Sequence, residues 1–299
     1  MYDVIIIGAG PAGLTSAIYA KRSNKNVLVL EANTYGGQIV TTDKIDNYPA
    51  TPHISGFDFA TNLYNQAVEL GAEVKFEKAI EIVDGDIKKV ITDKNTYEAS
   101  SIIVAIGVRN RSLNVPGEKE FEGKGVSYCA TCDGMFYKGK TVAVVGAGNT
   151  AFEEAIYLSN ICKKVYLIHR NEKFKASASM VKKLKTKDNV EFILNSNVVS
   201  INGEDKVSDI DIKDNNDNIT NLKVAGIFIA IGQIPENGNL TKDLKTDKNG
   251  YIKSDKNLKT NIDGVYVAGD IRPKTLRQLV TATSDGAIAA VNAIKSIKK

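Results

Sequence analysis

The sequence predicts an α/β fold in which one parallel strand–turn–helix unit occurs twice, with the second copy inserted into the domain built by the first. Residues 2–20, YDVIIIGAGPAGLTSAIYA, and residues 140–158, KTVAVVGAGNTAFEEAIYL, superpose when Gly8 is set against Gly146. Each copy later closes on an apolar strand ending in Ala-Ile-Gly, SIIVAIGVRN at residues 101–110 and GIFIAIGQIPEN at residues 226–237. Beyond the second closure, GVYVAGD at residues 264–270 and the helical pattern of residues 277–294 have no counterpart in the second copy. The tail is therefore expected to return and complete the first domain.

Each copy opens with a β-branched run, then GxGxx(G/A), then an apolar helical pattern, which is the beginning of a dinucleotide-binding βαβ unit. The expected architecture is two Rossmann-like domains of the three-layer ββα kind. The boundaries are expected at 1–113 and 238–299 for the first domain and 114–237 for the inserted one. A second strand follows each helix, NVLVL at residues 26–30 and KVYLI at residues 164–168. In the first domain come polar turns at residues 35–49, an amphipathic helix near residues 56–70 and a hairpin-like alternating region at residues 73–99. The Pro/Gly segment 111–125 reads as a linker, and a Lys/Asp/Asn-rich stretch fills residues 235–260.

The turn chemistry assigns the candidate binding residues. In Gly8, Gly10, Pro11, Ala12 and Gly13 the first glycine permits a tight turn, the second lets a pyrophosphate approach the backbone, and the third allows close helix packing. Gly146, Gly148, Asn149, Thr150 and Ala151 repeat the pattern. In both, the helix N-terminus presents partial positive charge to phosphate. Twenty-three residues after Gly8 stands Glu31, able to accept hydrogen bonds from ribose hydroxyls, as an FAD adenosine requires. The same offset from Gly146 reaches His169, followed by Arg170 and, downstream, Lys173 and Lys175. That basic group either suits a 2′-phosphate, and therefore NADPH, or is a solvated basic loop. Gly269 and Asp270 end the GVYVAGD strand, where the carboxylate either contacts a cofactor polyol or caps a helix.

Composition excludes several classes. Lys and Arg number 39 against 35 Asp and Glu, for a net charge of +4, so nucleic acid is not the expected partner. No apolar stretch approaches a membrane span of about 20 residues, and the short run at residues 4–7 follows an acid, so a cytoplasmic protein is expected. Three cysteines do not make a secreted disulfide framework. Two of them, Cys129 and Cys132, sit in YCATCDG. CxxC spacing lets two sulfurs close a small ring, and the following acid, Asp133, can protonate a leaving thiolate. A zinc site would need four N or S ligands, and beyond this pair the chain offers Cys162, His53 and His169 with no second paired motif. No metal is expected; a redox dithiol and a buried structural dithiol remain.

In order along the chain, GAGPAG, YGGQ, NYP, CATCDG, GAGNTA, HR, AIG, VAGD and RQ resemble the low-molecular-weight flavoprotein thioredoxin reductases, a thioredoxin-disulfide reductase family among the class II pyridine nucleotide-disulfide oxidoreductases. The resemblance implies FAD in the first domain, a pyridine nucleotide in the second, thioredoxin as partner and a homodimer. It places Gly37, Gln38 and Asn47 near the isoalloxazine and ribityl chain, Asp270 at the ribityl or phosphate region, and Arg277 and Gln278 beside the flavin. It makes Cys132 the flavin-facing sulfur, Cys129 the nucleophile toward thioredoxin and Asp133 the proton relay. A swing of the inserted domain about residues 110–116 and 234–240 is implied too. The chain departs from the NADPH-using pattern at His169-Arg170-Asn171, where a second arginine is usual, and at Lys175, where an arginine is usual. Ferredoxin as electron donor is therefore the alternative, with Lys182, Lys183, Lys185 and Lys187 as a basic face for it. A related FAD/CxxC dithiol oxidase is a further alternative.

Overall fold

Val4, Ile5, Ile6 and Ile7 are all buried, the pattern of a parallel strand covered on both faces. In the computed structural model, which describes residues 1–42, 44–235 and 238–297, this strand is the centre of the first of two units. The first unit comprises Met1–Arg109 with Ile234–Lys299, and the second comprises Asn110–Gln233. The expected boundary at residue 237 lies outside the described residues, as do residues 236–237 of the expected hinge.

Along the chain, β1 (Tyr2–Ile7) hands over to α1 (Pro11–Arg22), which returns to β2 (Val27–Glu31). Pro11 opens α1 where its missing N–H costs nothing, and Lys21 and Arg22 end it on the negative pole of the dipole. Helix α2 (Gly56–Glu69) is capped by the Ser55 hydroxyl, which accepts the Asp58 amide at 3.0 Å. Next come β3 (Glu73–Phe76), β4 (Ala79–Val83), β5 (Lys88–Thr92) and β6 (Thr96–Val104). The sheet order is β3-β2-β1-β6-β5-β4, parallel from β3 to β6 and antiparallel beyond. Residues 73–99 are thus not one hairpin region. Helix α2 carries the chain across to the β2 edge, so Leu28 faces Glu73 in parallel register, and the hairpins begin only at Ala79. Local alternation does not separate these two pairings.

The chain enters the second unit at β7 (Val108–Asn110) and continues through β8 (Val126–Ser127), α3 (Ala130–Asp133), β9 (Thr141–Val145), α4 (Asn149–Ser159), β10 (Lys164–His169), α5 (Ala178–Lys185) and β11 (Val190–Leu194). An antiparallel meander of β12 (Ser196–Gly203), β13 (Val207–Asp214) and β14 (Ile219–Lys223) precedes β15 (Gly226–Ile229). The parallel sheet has the order β11-β10-β9-β15-β8. Residues 111–125 are not a free linker. Glu118, 2% exposed, accepts the amides of Leu113 and Asn114 and the Tyr128 hydroxyl, and a Cβ on Gly117 would stand 1.9 Å from the Ile201 carbonyl oxygen. A polar composition disguised a buried carboxylate that organises its own turn.

Past β16 (Gln233–Pro235), the chain returns to the first unit, where β17 (Val265–Val267) extends the parallel sheet beside the end of β6. Helix α6 (Leu279–Ser296) then crosses α1 so closely that a Cβ on Gly286 would stand 2.2 Å from the Ala12 carbonyl oxygen. The Ser16 hydroxyl bridges this crossing, donating toward the carbonyls of Ala12 and Gly286, each at 2.9 Å. Gly286→Val is expected to lower stability by about 2–3 kcal/mol in urea denaturation, because backbone rather than a yielding side chain occupies the space. Gly148→Ala, with a φ of −86° and nothing within 4 Å of the added Cβ, is the control expected to cost under about 1 kcal/mol, the loss of an N-cap preference alone.

Candidate active site

Ser127 ends β8 and Cys129 occupies the N-cap of the single-turn helix α3. The Cys129 carbonyl accepts the amides of Cys132 at 3.2 Å and Asp133 at 3.1 Å, which winds the loop so that the two Cα atoms lie 5.3 Å apart, joined through a disulfide. Both cysteines and Asp133 are half-buried, and Thr131 is exposed. The Ser127 hydroxyl donates to Asp133 Oδ2 at 2.6 Å and accepts the Cys129 amide at 3.1 Å. One serine therefore holds both the acid and the start of the redox loop. From α4, Glu154 reaches the same loop: its Oε1 accepts the Ala130 amide at 3.3 Å. Burial pushes the Glu154 carboxyl up to about 7, opposed by that amide and aided by the charges of Asp133 and Glu153. Cys162, just past α4, is a buried thiol directed at the Tyr137 carbonyl, and burial pushes it up to about 11.

In the same unit, Gly146 takes a φ of +149°, and a Cβ there would stand 2.4 Å from the Ala230 carbonyl oxygen at the end of β15. Gly148 faces open space, and Asn149, Thr150 and buried Ala151 begin α4. The Ala147 carbonyl accepts the amides of Lys175 and Ala176, and Asn149 Oδ1 accepts the Ser177 amide at 2.9 Å. This ties the basic segment to the glycine turn. His169 ends β10, half-buried; burial pulls its imidazole below the ordinary value, opposed by the Lys173 backbone and helped by Arg170 and Lys175. Arg170 and Lys175 are exposed.

The first unit has the parallel arrangement. Gly8 has a φ of +106° and backs onto the Ala105 carbonyl, whose oxygen would stand 2.5 Å from an added Cβ; Gly13 packs on Gly8 itself. Gly10, just before Pro11, has nothing within 4 Å of an added Cβ. Glu31 Oε2 accepts the Ala9 amide at 2.8 Å, so the carboxylate ending β2 braces the turn while Oε1 takes the Asn33 amide. Gly37 lies against Gly10, and Gly269 against Ala12. The structure thus gathers Gly8, Gly10, Pro11, Ala12, Gly13, Glu31, Gly37, Gly269 and Asp270 around one turn. Gln38 donates to the Val108 carbonyl, and Asn47 donates to Gln278, which caps α6. Arg277 stacks over Tyr251 with its guanidinium carbon 4.4 Å from the ring centroid.

Beneath Asp270 lies a network that sequence reasoning missed. Asp285, 4% exposed, accepts Arg272 Nε and Nη2 at 2.8 Å each and the Gly269 amide at 3.1 Å, and forms an ion pair with Lys274 Nζ at 2.7 Å. Burial raises the Asp270 carboxyl, opposed by Lys274, whose Nζ lies 3.6 Å from it. Asp270 Oδ1 and Arg277 Nε are buried without a hydrogen-bond partner among the described residues. Open space at Gly10 and Gly148, with unsatisfied polar atoms at Asp270 and Arg277, fits a pyrophosphate-bearing cofactor in each glycine turn and a polyol near Asp270. Ser127 also escaped the sequence reading, and so did the contact of Glu154 with the redox loop. Glu154 had a signal: it falls in the buried stripe of α4 with Ala151, Ala155 and Leu158, an odd place for a carboxylate.

Residues 2–286 match the pyridine nucleotide-disulphide oxidoreductase family. The chain is 42% identical over 293 residues to the thioredoxin reductase of Treponema pallidum, covering 97% of this chain and 95% of that one. It is 40% identical over 297 residues to the thioredoxin reductase of Bacillus subtilis, covering 97% and 93%. The crystal structure of thioredoxin reductase from Streptococcus pyogenes superposes with a TM-score of 0.95 at 41% identity, covering 99% and 98%.

Burial raises the Asp285 carboxyl, but the Arg272 and Lys274 hydrogen bonds and charges outweigh it and hold it below the ordinary range. A depressed folded-state value means stability that is present above the unfolded value near 4 and is lost as pH falls through the folded value. Asp285→Asn is expected to cost about 3 kcal/mol at pH 7 in urea denaturation, with the gap to the parent protein narrowing below about pH 4. A gap independent of pH would show that the ion pairs carry none of it.

Proposed function

The chain belongs to the pyridine nucleotide-disulphide oxidoreductase family, and we propose that it reduces thioredoxin through the Cys129–Cys132 disulfide, with electrons drawn from NADPH by way of FAD. The observation that carries this reading is the disulfide itself, half-buried at the mouth of α3 with Asp133 beside it, in a chain alike from end to end to thioredoxin reductases. When bound, FAD supplies a carrier that accepts an electron pair from the nicotinamide and passes it to the disulfide.

Gly8, Gly10, Pro11, Ala12, Gly13 and Glu31 would hold its adenosine diphosphate part; Gly37, Gln38, Asn47, Gly269, Asp270, Arg277 and Gln278 would hold the remainder. Gly146, Gly148, Asn149, Thr150, Ala151, His169, Arg170 and Lys175 would take NADPH. The hydrogen bonds from residues 175–177 to Ala147 and Asn149 support this, since they keep Lys175 beside the glycine turn.

In the reduced protein the Cys129 thiolate attacks one sulfur of the thioredoxin disulfide and displaces the other as a thiolate. The Cys132 thiolate then attacks Cys129 Sγ, releasing the second thioredoxin sulfur and restoring the Cys129–Cys132 bond. Asp133, steadied by Ser127, exchanges the proton with these sulfurs. Two copies of the chain, in the cytoplasm, form the working unit in this reading.

Anaerobic mixing of the purified holoenzyme with NADPH, NADH or reduced ferredoxin, read by flavin absorbance, is expected to show bleaching by NADPH. Bleaching by ferredoxin alone would replace NADPH as donor. Cys129→Ser is expected to keep that bleaching and to lose thioredoxin turnover at least about a thousandfold. Unchanged turnover would remove the dithiol from the reaction.

A further inference from the structure

Glu154 has no task in the steps above, yet its position is costly. It is 9% exposed in the apolar stripe of α4. One carboxyl oxygen accepts the amide of Ala130, the residue following Cys129 in the redox loop, and the other is buried with no hydrogen-bond partner among the described residues. A carboxylate with one unsatisfied buried oxygen is penalised by desolvation, whereas a protonated carboxyl carries no charge to desolvate. The charges acting on it, Asp133 from α3 and Glu153 from α4, are both negative. Lys182, Lys183 and Lys185 of the adjacent α5 form no ion pair with it among the described residues. Among the described residues, a single backbone amide is all that compensates an anion there.

We propose that Glu154 is a proton-holding positioning residue of the redox loop, taking up one proton when the Cys129–Cys132 disulfide is reduced and releasing it to water when the disulfide re-forms. The proposal rests on reading that pair as the redox disulfide. Reduction breaks the sulfur–sulfur bond with two electrons from the bound flavin and one proton, leaving one thiol and one thiolate. The new negative charge arises in the loop whose amide anchors Glu154, and it favours the neutral carboxyl, which takes a second proton from solvent. When the electron pair passes to thioredoxin the thiolate charge disappears and the carboxyl ionises again. Asp133 keeps direct proton exchange with the sulfurs; Glu154 acts through charge.

The test equilibrates holoenzyme with dithiothreitol redox buffers from pH 6.5 to 8.5 and counts reduced Cys129 and Cys132 by alkylation, comparing the parent protein with Glu154→Gln. The buffer's own pH dependence cancels in the ratio of the two equilibrium constants. Between pH 7.5 and 8.5 that ratio is expected to move roughly five- to tenfold against reduction of the parent protein, the mark of one extra proton. A flat ratio with a reducible pair overturns the Glu154 proposal alone; a pair that dithiothreitol reduces in neither protein at any pH overturns the redox reading beneath it.

Redox-difference infrared spectroscopy at pH 8 gives a second readout, whose first sign is visible in the parent protein alone. A protonated-carboxyl band is expected to appear on reduction, to vanish in Glu154→Gln and to persist in Asp133→Asn. The reverse pattern would assign the stored proton to Asp133.

Discussion

Both units depend on one constraint: at the turn from the first parallel strand into its helix, backbone meets backbone with no room for a side chain. Gly8 backs onto Ala105 and Gly13 onto Gly8, while Gly146 backs onto Ala230. In the first unit the constraint extends to the returning helix, where Gly286 meets Ala12 and Ser16 bonds to both carbonyls. Such contacts draw the helix tight against the strand and aim its unsatisfied amides out of the C-terminal edge of the sheet. The middle glycine of each motif, Gly10 or Gly148, is then left facing open space. The concave, amide-lined site is a consequence of the packing rather than an addition to it.

The redox loop solves a different problem. A two-residue spacer between cysteines has little structure of its own, so its geometry is borrowed from neighbours. Ser127 at the end of β8 steadies Asp133 and the Cys129 amide, and Glu154 on α4 takes the Ala130 amide. Since α4 is also the helix whose N-terminus follows the Gly146 turn, one helix supports both the proposed nucleotide site and the dithiol. The first unit shows the same economy at Asp285, which anchors Gly269, Arg272 and Lys274 together and so fixes the turn that presents Asp270.

Much of this was legible in the sequence because it is local. The β-branched runs, the glycine spacing, the Ala-Ile-Gly closures and CATCDG each lie within a dozen residues, and the expected two-domain α/β fold follows from their order. Features made by distant residues were not legible. Glu73 pairs in parallel with Leu28 across a helix, where alternation alone suggested a hairpin. Residues 111–125 read as a linker because their buried carboxylate, Glu118, bonds to Tyr128. Ser127 and Asp285 carry no motif at all, since serine and aspartate are common and their value lies in what the fold brings opposite them. Glu154 lay between these cases, marked by its place in a buried helical stripe but not by any partner.

In the proposed function, a flavin held by the first unit and the Cys129–Cys132 disulfide act as one electron-accepting system. Anaerobic titration of the purified holoenzyme with dithionite, read by flavin absorbance and thiol content, tests it most directly. Uptake of two electron pairs per chain is expected, one by the flavin and one by the disulfide, with loss of the second pair in Cys132→Ser. Uptake of a single pair, with the disulfide still closed after the flavin is fully bleached, would contradict it.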